Sequence, residues 1–182
     1  MDVNFGGADP KAAEAAYNDA KTALGQCARG VNCSTQQSTD ARSALATLAA
    51  AEADHSINIV VSLGSQGNGP AGTIPRGGGR MDVWIDPGDA AISGTDPTFT
   101  TAGLVAHEVT ESYGKLTTLG GAASIGQAYS GLHPQSVKFE DAALATRGHP
   151  TRTSRSVYGV GCRPTSFGGV LPYGGTPPKD CF

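Results

Sequence analysis

The sequence predicts an α+β fold in which helical segments flank a short run of strands. Two alanine-rich segments of strong helix formers open the chain, two β-branched segments follow, and two segments with helix start and stop signals come next. A chain of 182 residues suits one domain with its own core. We expect a single domain over 1–182, with N-terminal helices (1–54), a central part (55–148) and a tail rich in Gly and Pro (149–182).

The N-terminal part predicts two scaffold helices. In the first, Asp9 can cap the N-terminus, Pro10 suits the first turn, and Gly30 ends the helix. The second is expected to begin near Ser38 to Asp40 and to run through "ARSALATLAAAEAD". Both present narrow apolar faces, which suits close packing against another layer.

The central part opens with two predicted strands. "INIVVSL" (57–63) is short and β-branched, and a Gly-rich segment follows it. "RMDVWID" (80–86) alternates apolar and polar side chains and is closed by a Pro-Gly pair. The segment between them contains Arg76 and Arg80 but lacks the Gly-Lys-Ser/Thr ending of a phosphate-binding loop. We therefore expect a small sheet with a flexible hairpin connection.

Two further helices are predicted after the strands. "DPTFTTAGLVAHEVTESYGKL" (96–116) has a Thr/Asp start and Gly114 near its end. "HPQSVKFEDAALATRG" (133–148) places Pro134 in its first turn and Gly148 at its stop. The segment after Gly148 is mostly irregular.

The composition argues against two classes of partner. The net charge is -3 and no basic cluster could follow a phosphate backbone, so we do not expect a nucleic-acid ligand. No apolar run approaches the roughly 20 residues that span a bilayer. The N-terminus lacks the order of a signal peptide, so we expect any export signal to have been removed or to lie elsewhere.

The four cysteines form two local pairs, Cys27 with Cys33 and Cys162 with Cys181. We predict two disulfides, and therefore an oxidising compartment. The second would give the Gly/Pro tail a defined path. The alternative is four free thiols in a cytosolic protein. Neither pair has the C-x2-C spacing of a zinc knuckle, which makes zinc binding by these thiols less favoured.

The segment "GLVAHEVTESYGKL" (103–116) carries an H-E-x-x-E motif, formed by His107, Glu108 and Glu111. Helical residues four apart share a face, so His107 and Glu111 can bind one metal ion. Glu108 lies beside them and can take the proton of a water molecule. The alternative is a solvated helix with an acidic patch and one histidine.

The predicted helix at 133–148 supplies candidates for a third ligand. His133 and Glu140 are about 10 Å apart along the helix axis, so we expect one to be a ligand and the other to support it. With His133 the set suits zinc, and Glu140 or Asp141 can orient an imidazole N–H. With Glu140 the two carboxylates favour Mn²⁺ or Fe²⁺. We favour His133.

Other candidates carry less weight. His55 follows a helix and can cap its last carbonyls, and His149 lies before a proline in a polar loop. Tyr113 and Tyr129 flank the motif and could stabilise an oxyanion, although ordinary packing is the favoured interpretation for either alone. We assign Tyr129 to the candidate catalytic set together with Glu108.

The order of these elements resembles the zincin-like metallopeptidase domains found as C-terminal toxin modules of Rhs-repeat and related polymorphic proteins. The resemblance covers roughly residues 9–148 in the order of elements, and it is specific only at the H-E motif and, more weakly, at Glu140 and Asp141. In that family H-E-L-x-H-A precedes an acidic E-N-x-x-R helix. The resemblance implies that His107 is a metal ligand, Glu108 the general base and Glu140 the acidic ligand. Glu111 departs from the pattern, since the family has a second histidine there, and His133 is the candidate to compensate.

The resemblance also implies an architecture and a biological role. It implies a zincin-like α+β architecture, with a small mixed sheet on an active-site helix and "MDVWID" as the edge strand that pairs with an extended peptide. Residues 55–148 then form the catalytic core of a zinc peptidase. It further implies a secreted or delivered effector, extracellular or periplasmic, that cleaves a protein or peptide and is neutralised by a cognate immunity protein.

Two other functions remain open. One is a catalytically inactive secreted interaction domain on the same scaffold. The other is a metal-dependent hydrolase or oxygen-using enzyme unrelated to peptidases. A di-iron bundle is disfavoured because it needs an E-x-x-H spacing on each of two helices, and in this sequence only Glu52 with His55 has that spacing.

Overall fold

The structure, a computed structural model, describes residues 3–64, 70–90, 97–118 and 132–148. Helices and a small mixed sheet combine into the α+β class that the sequence predicts. In chain order the elements are β1 (Val3–Gly7), α1 (Pro10–Ala28), α2 (Thr35–Ala53), β2 (Asn58–Leu63), β3 (Ala71–Gly77), β4 (Arg80–Ile85), α3 (Pro87–Ala90), α4 (Pro97–Thr118) and α5 (His133–Thr146). Among the helices of these ranges, none combines the length and apolar character that crossing a membrane requires.

The sheet has the strand order β1-β2-β4-β3. β1 and β4 lie parallel to β2 on its two sides, and β3 is antiparallel to β4. Because β4 is paired on both sides, the expectation that "MDVWID" forms an edge strand is wrong. The edge next to it is β3, which pairs Thr73 with Val83.

Two strands, β1 and β3, were not predicted from the sequence. β3 lies in the segment expected to be a flexible connection, and it contains two glycines and Pro75, which lower its strand signal. An edge position tolerates Pro75, since its missing N–H need not join a ladder. β1 is only five residues long and ends in two glycines. Pairing with a neighbouring strand, rather than local propensity, stabilises both.

The helix caps account for the helix boundaries. Asp9 Oδ1 accepts a hydrogen bond from the backbone N–H of Ala12 at 2.9 Å, which confirms the predicted start of α1. α2 begins earlier than the predicted Ser38 to Asp40. Ser34 caps it, and Ser34 and Gln37 bond to each other's backbone N–H in a capping box.

The helices differ in how they contact the sheet. α1 and α4 lie against the strands, and α5 packs on α1, α2 and α4. Apolar side chains from these elements form one core, including Leu24, Leu48, Ile59, Val61, Val83, Ile85, Val105 and Val109. The core therefore places α4 between the sheet and α5.

Two glycines on α4 bring α5 close. A Cβ on Gly103 would lie 3.2 Å from Cγ of Glu140, and a Cβ on Gly114 would lie 2.6 Å from a methyl group of Leu132. A larger residue at either position would push the start or the middle of α5 away from α4. Small residues here let the two helices that carry the candidate site approach each other.

A disulfide joins Cys27 and Cys33 at the turn between α1 and α2, as predicted. The same turn holds the C-terminus of α5, because Asn32 Nδ2 donates to the carbonyl of Thr146 at 3.0 Å. The hydroxyl of Thr146 donates to the carbonyl of Ala23 at 3.0 Å. The predicted second pair, Cys162 with Cys181, lies outside the described residues.

Candidate metal centre

The candidate site lies where α4 faces the start of α5. His107 and Glu111 are four residues apart on α4, so the helical period brings both side chains to one face. Both are buried, with 2% and 6% of their surface exposed. His133 is the first residue of α5, and its side chain is partly exposed. The site is therefore closed on the core side and open at His133.

Three donor atoms converge there. His107 Nε2 lies 3.1 Å from Glu111 Oε2 and 3.1 Å from His133 Nδ1, and His133 Nδ1 lies 2.9 Å from the same Glu111 oxygen. Ligands about 2.0–2.1 Å from a tetrahedral ion are about 3.3 Å apart, so this spacing is close to that of three metal ligands. The residues His107, Glu111 and His133 could therefore hold a metal ion.

The donor set fits a cation for a second reason. A hydrogen bond places one proton between two atoms, whereas three acceptor-capable atoms meet at this point. A cation between them would contact all three lone pairs at once. Two imidazole nitrogens and one carboxylate oxygen suit zinc, and the set does not exclude other divalent ions.

Glu140 lies on the other side of the His107 ring. Its Oε2 is 3.0 Å from Nδ1 of His107, and the residue is completely buried. A carboxylate at this position accepts the Nδ1–H, which leaves Nε2 to face Glu111 and His133. Glu140 is thus placed to orient His107, outside the group of three. Asp141 is also buried on α5.

The charges of the site depend on one another. Burial lowers the pKa of His107, but hydrogen bonds with Glu111 and Glu140 outweigh burial and raise it to about 9. Burial alone would raise the pKa of Glu111, whereas hydrogen bonds from His107, His133 and Lys115 hold it well below the usual range. Without a cation the site keeps a proton on His107, and a metal ion would have to displace it.

Glu108 follows His107 directly and is only partly buried. Burial raises the pKa of its carboxyl and outweighs the nearby positive charges of His107 and Lys115. A carboxylate with a raised pKa is a better proton acceptor near neutral pH. The raised pKa of Glu108 suits the role of general base, which stays a prediction.

Of the remaining predicted residues, those that the structure describes are not part of this group. Tyr129 and His149 lie outside the described residues, and His55 is exposed in the turn before β2. Tyr113 is on a different face of α4, where it lines a cavity of about 180 Å³ between α2, α4 and α5. This cavity is lined by Thr110 and Phe139 rather than by His107 or Glu111, so Tyr113 is a packing residue.

Lys115 also contacts the site, and it was not among the predicted residues. Its Nζ lies 2.7 Å from Glu111 Oε1 and donates to Thr73 Oγ1 at 3.2 Å. The spacing of Glu111 and Lys115, four residues apart with the acid first, is a recognisable helix ion pair. The contact with Thr73 could not be foreseen, because β3 was not predicted.

The group of three could therefore hold a metal ion, and Glu108, the residue after His107, has a raised pKa. Such a pair of features is typical of hydrolytic metal sites. Comparisons with protein-family models, with curated proteins and with solved structures found no match for this chain.

Proposed function

We propose that this chain is a metal-dependent peptidase that binds zinc through His107, Glu111 and His133. The observation that carries the proposal is the convergence of three donor atoms within 3.1 Å of one another. The motif H-E-x-x-E adds a carboxylate next to the first ligand. We propose Mn²⁺ or Fe²⁺ as the alternative ions.

The fold supports a zincin-like arrangement. α4 carries the motif and packs against a small mixed sheet whose edge strand β3 is antiparallel to its neighbour. Lys115 on α4 contacts Thr73 on β3, so this edge lies close to the site. An extended peptide could pair with β3, which takes the role first expected for "MDVWID".

A bound zinc ion supplies Lewis acidity that polarises a carbonyl and acidifies water. The protein groups provide the rest of the chemistry. Glu108 accepts a proton from the attacking water and returns it to the leaving amine. Glu140 holds the ring of His107 in one orientation. Tyr129 is proposed to donate a hydrogen bond to the developing oxyanion.

The biological setting is proposed on the resemblance to toxin modules of the Rhs-repeat type. The disulfide between Cys27 and Cys33 supports an oxidising destination. We propose a secreted or delivered effector with a protein or peptide substrate. A cognate immunity protein would protect the producing cell, and no nucleic acid is involved.

A second candidate is an inactive interaction domain on the same scaffold. The observation that favours it is the pair of carboxylates beside His107, since Glu111 and Glu140 can hold an imidazolium without any metal. This candidate predicts that the purified protein contains no stoichiometric metal.

Metal analysis by mass spectrometry tests the two candidates. We expect about one equivalent of zinc in the native protein, and loss of zinc in His107→Ala and Glu111→Ala. His55→Ala, at an exposed histidine, is the matched control and should keep the ion. Circular dichroism identifies variants that fail to fold. Native protein without metal after incubation with zinc, manganese or iron would refute the peptidase and favour the interaction domain.

A further inference from the structure

We propose that Lys115 is a positioning residue that restricts Glu111 to binding a metal through one oxygen. The inference rests on the proposed metal site and adds the class of ion that the site selects. With one oxygen from Glu111, the protein supplies three donors and leaves a position for water or substrate. The site then favours ions that accept four-coordination, such as zinc and cobalt, over manganese.

The two oxygens of Glu111 have different partners. Oε2 faces the imidazoles, 3.1 Å from His107 Nε2 and 2.9 Å from His133 Nδ1. Oε1 faces away from them and lies 2.7 Å from Nζ of Lys115. A carboxylate that bound an ion through both oxygens would have to release the ammonium group.

Burial stabilises the arrangement in which the two oxygens of Glu111 have different partners. The side chain of Glu111 is 7% exposed and that of Lys115 is 17% exposed, so water screens the ion pair only weakly. A carboxylate oxygen that lost the ammonium group here would lose a charge-assisted hydrogen bond in a poorly solvated place. Lys115 therefore competes directly with a metal ion for Oε1.

Thr73 contacts the ammonium group of Lys115 from the sheet. Its hydroxyl accepts a hydrogen bond from Nζ of Lys115 at 3.2 Å. Because Thr73 belongs to β3 and Lys115 to α4, the sheet fixes the ammonium group that the helix presents to Glu111. The edge strand thereby influences the metal site although it supplies no ligand.

The test compares variants loaded with Co²⁺, since a tetrahedral Co²⁺ ion absorbs visible light much more strongly than an octahedral one. Lys115→Met removes the charge and keeps the chain length, and Lys115→Arg keeps the charge. Lys138→Met, at an exposed lysine on α5, is the matched control. We expect strong absorption in the native protein, Lys138→Met and Lys115→Arg, and clearly weaker absorption in Lys115→Met.

Affinities measured against a chelator provide the second readout. In Lys115→Met the preference for Zn²⁺ over Mn²⁺ should fall by about tenfold or more, as expected when a partner of a ligand is lost. Thr73→Val should lower the preference for Zn²⁺ over Mn²⁺ by a smaller factor. If Lys115→Met does not fold, the result for Thr73→Val tests the role of Lys115.

The outcomes separate the two proposals. Native protein that binds neither Co²⁺ nor Zn²⁺ overturns the metal site and this inference together. Native protein that binds both ions, with an unchanged spectrum and an unchanged Zn²⁺/Mn²⁺ ratio in Lys115→Met, overturns the role of Lys115 alone.

Discussion

Nδ1 of His107 lies 3.0 Å from Oε2 of Glu140, a residue 33 positions further along the chain on another helix. Both side chains are almost entirely buried. A buried carboxylate is costly unless it is paired, and His107 provides that partner. The pair joins α4 to α5 and fixes which nitrogen of His107 faces Glu111 and His133.

Removing Glu140 should weaken metal binding without removing a ligand. We expect Glu140→Ala to lower zinc affinity by about 10–100-fold, because the ring of His107 loses its orienting acceptor. Glu140→Gln should lower the zinc affinity by a smaller factor, since the amide oxygen can still accept the Nδ1–H of His107. Titration with a competing chelator measures both affinities, with Gln135→Ala at an exposed position of α5 as control. Equal zinc affinity in native protein and Glu140→Ala would show that Glu140 does not support the site.

Replacing Glu108 should separate catalysis from metal binding. Glu108→Gln is expected to keep about one equivalent of zinc and to reduce peptide cleavage by about 10²–10⁴-fold, because glutamine cannot accept the proton of water. Metal content and cleavage of a mixed peptide library are measured on the same preparation. Loss of zinc in this variant would exclude Glu108 from the role of base.

Tyr17 should make the protein less stable at alkaline pH. Its hydroxyl is buried and donates to Glu52 Oε1 at 3.0 Å, and burial together with the Glu52 charge raises the pKa of Tyr17 well above the usual range. Above about pH 10 the unfolded chain releases this proton and the folded protein keeps it. The folded state then binds more protons, so the free energy of unfolding falls by up to about 1.4 kcal/mol per pH unit.

Denaturant unfolding of native protein and Tyr17→Phe, at about pH 9 and about pH 11, checks this expectation. The variant lacks the titrating hydroxyl, so its stability should fall less over this interval. The comparison with the variant cancels the contribution of groups that Tyr17 does not contact. Parallel pH profiles would mean that Tyr17 ionises normally in the folded state.

Loss of the Cys27–Cys33 disulfide should destabilise the turn that anchors α5. The bridge closes a loop with a sequence separation of 6, for which chain entropy suggests about 2–3 kcal/mol. For a protein of this size that corresponds to a fall in Tm of roughly 5–10 °C. Thermal unfolding of Cys27→Ser/Cys33→Ser measures the effect.

Adding reductant to this double variant measures any contribution of the other two cysteines, Cys162 and Cys181, to the Tm. A Tm equal to that of the native protein would show that the disulfide is dispensable for stability.

Local rules were enough for much of the fold. The caps and stops at Asp9, Pro10 and Gly148 predicted helix ends that the structure contains, and β-branched or alternating segments predicted β2 and β4. α2 begins before the predicted position because Ser34 and Gln37 form a capping box, which the prediction did not include. These features depend on interactions within a few residues, which is why a pattern could show them.

One half of the candidate site can be predicted from the amino-acid sequence, and the other half depends on the packing of distant segments. Helical periodicity places His107 and Glu111 on one face whatever surrounds them. The close packing of α4 on α5 brings His133 to these two residues and places Glu140 on the other side of the His107 ring. No local sequence pattern encodes this packing. The edge position of β3 and its contact with Lys115 likewise depend on strand pairing between distant segments, because a sheet is held together by neighbours in space rather than in sequence.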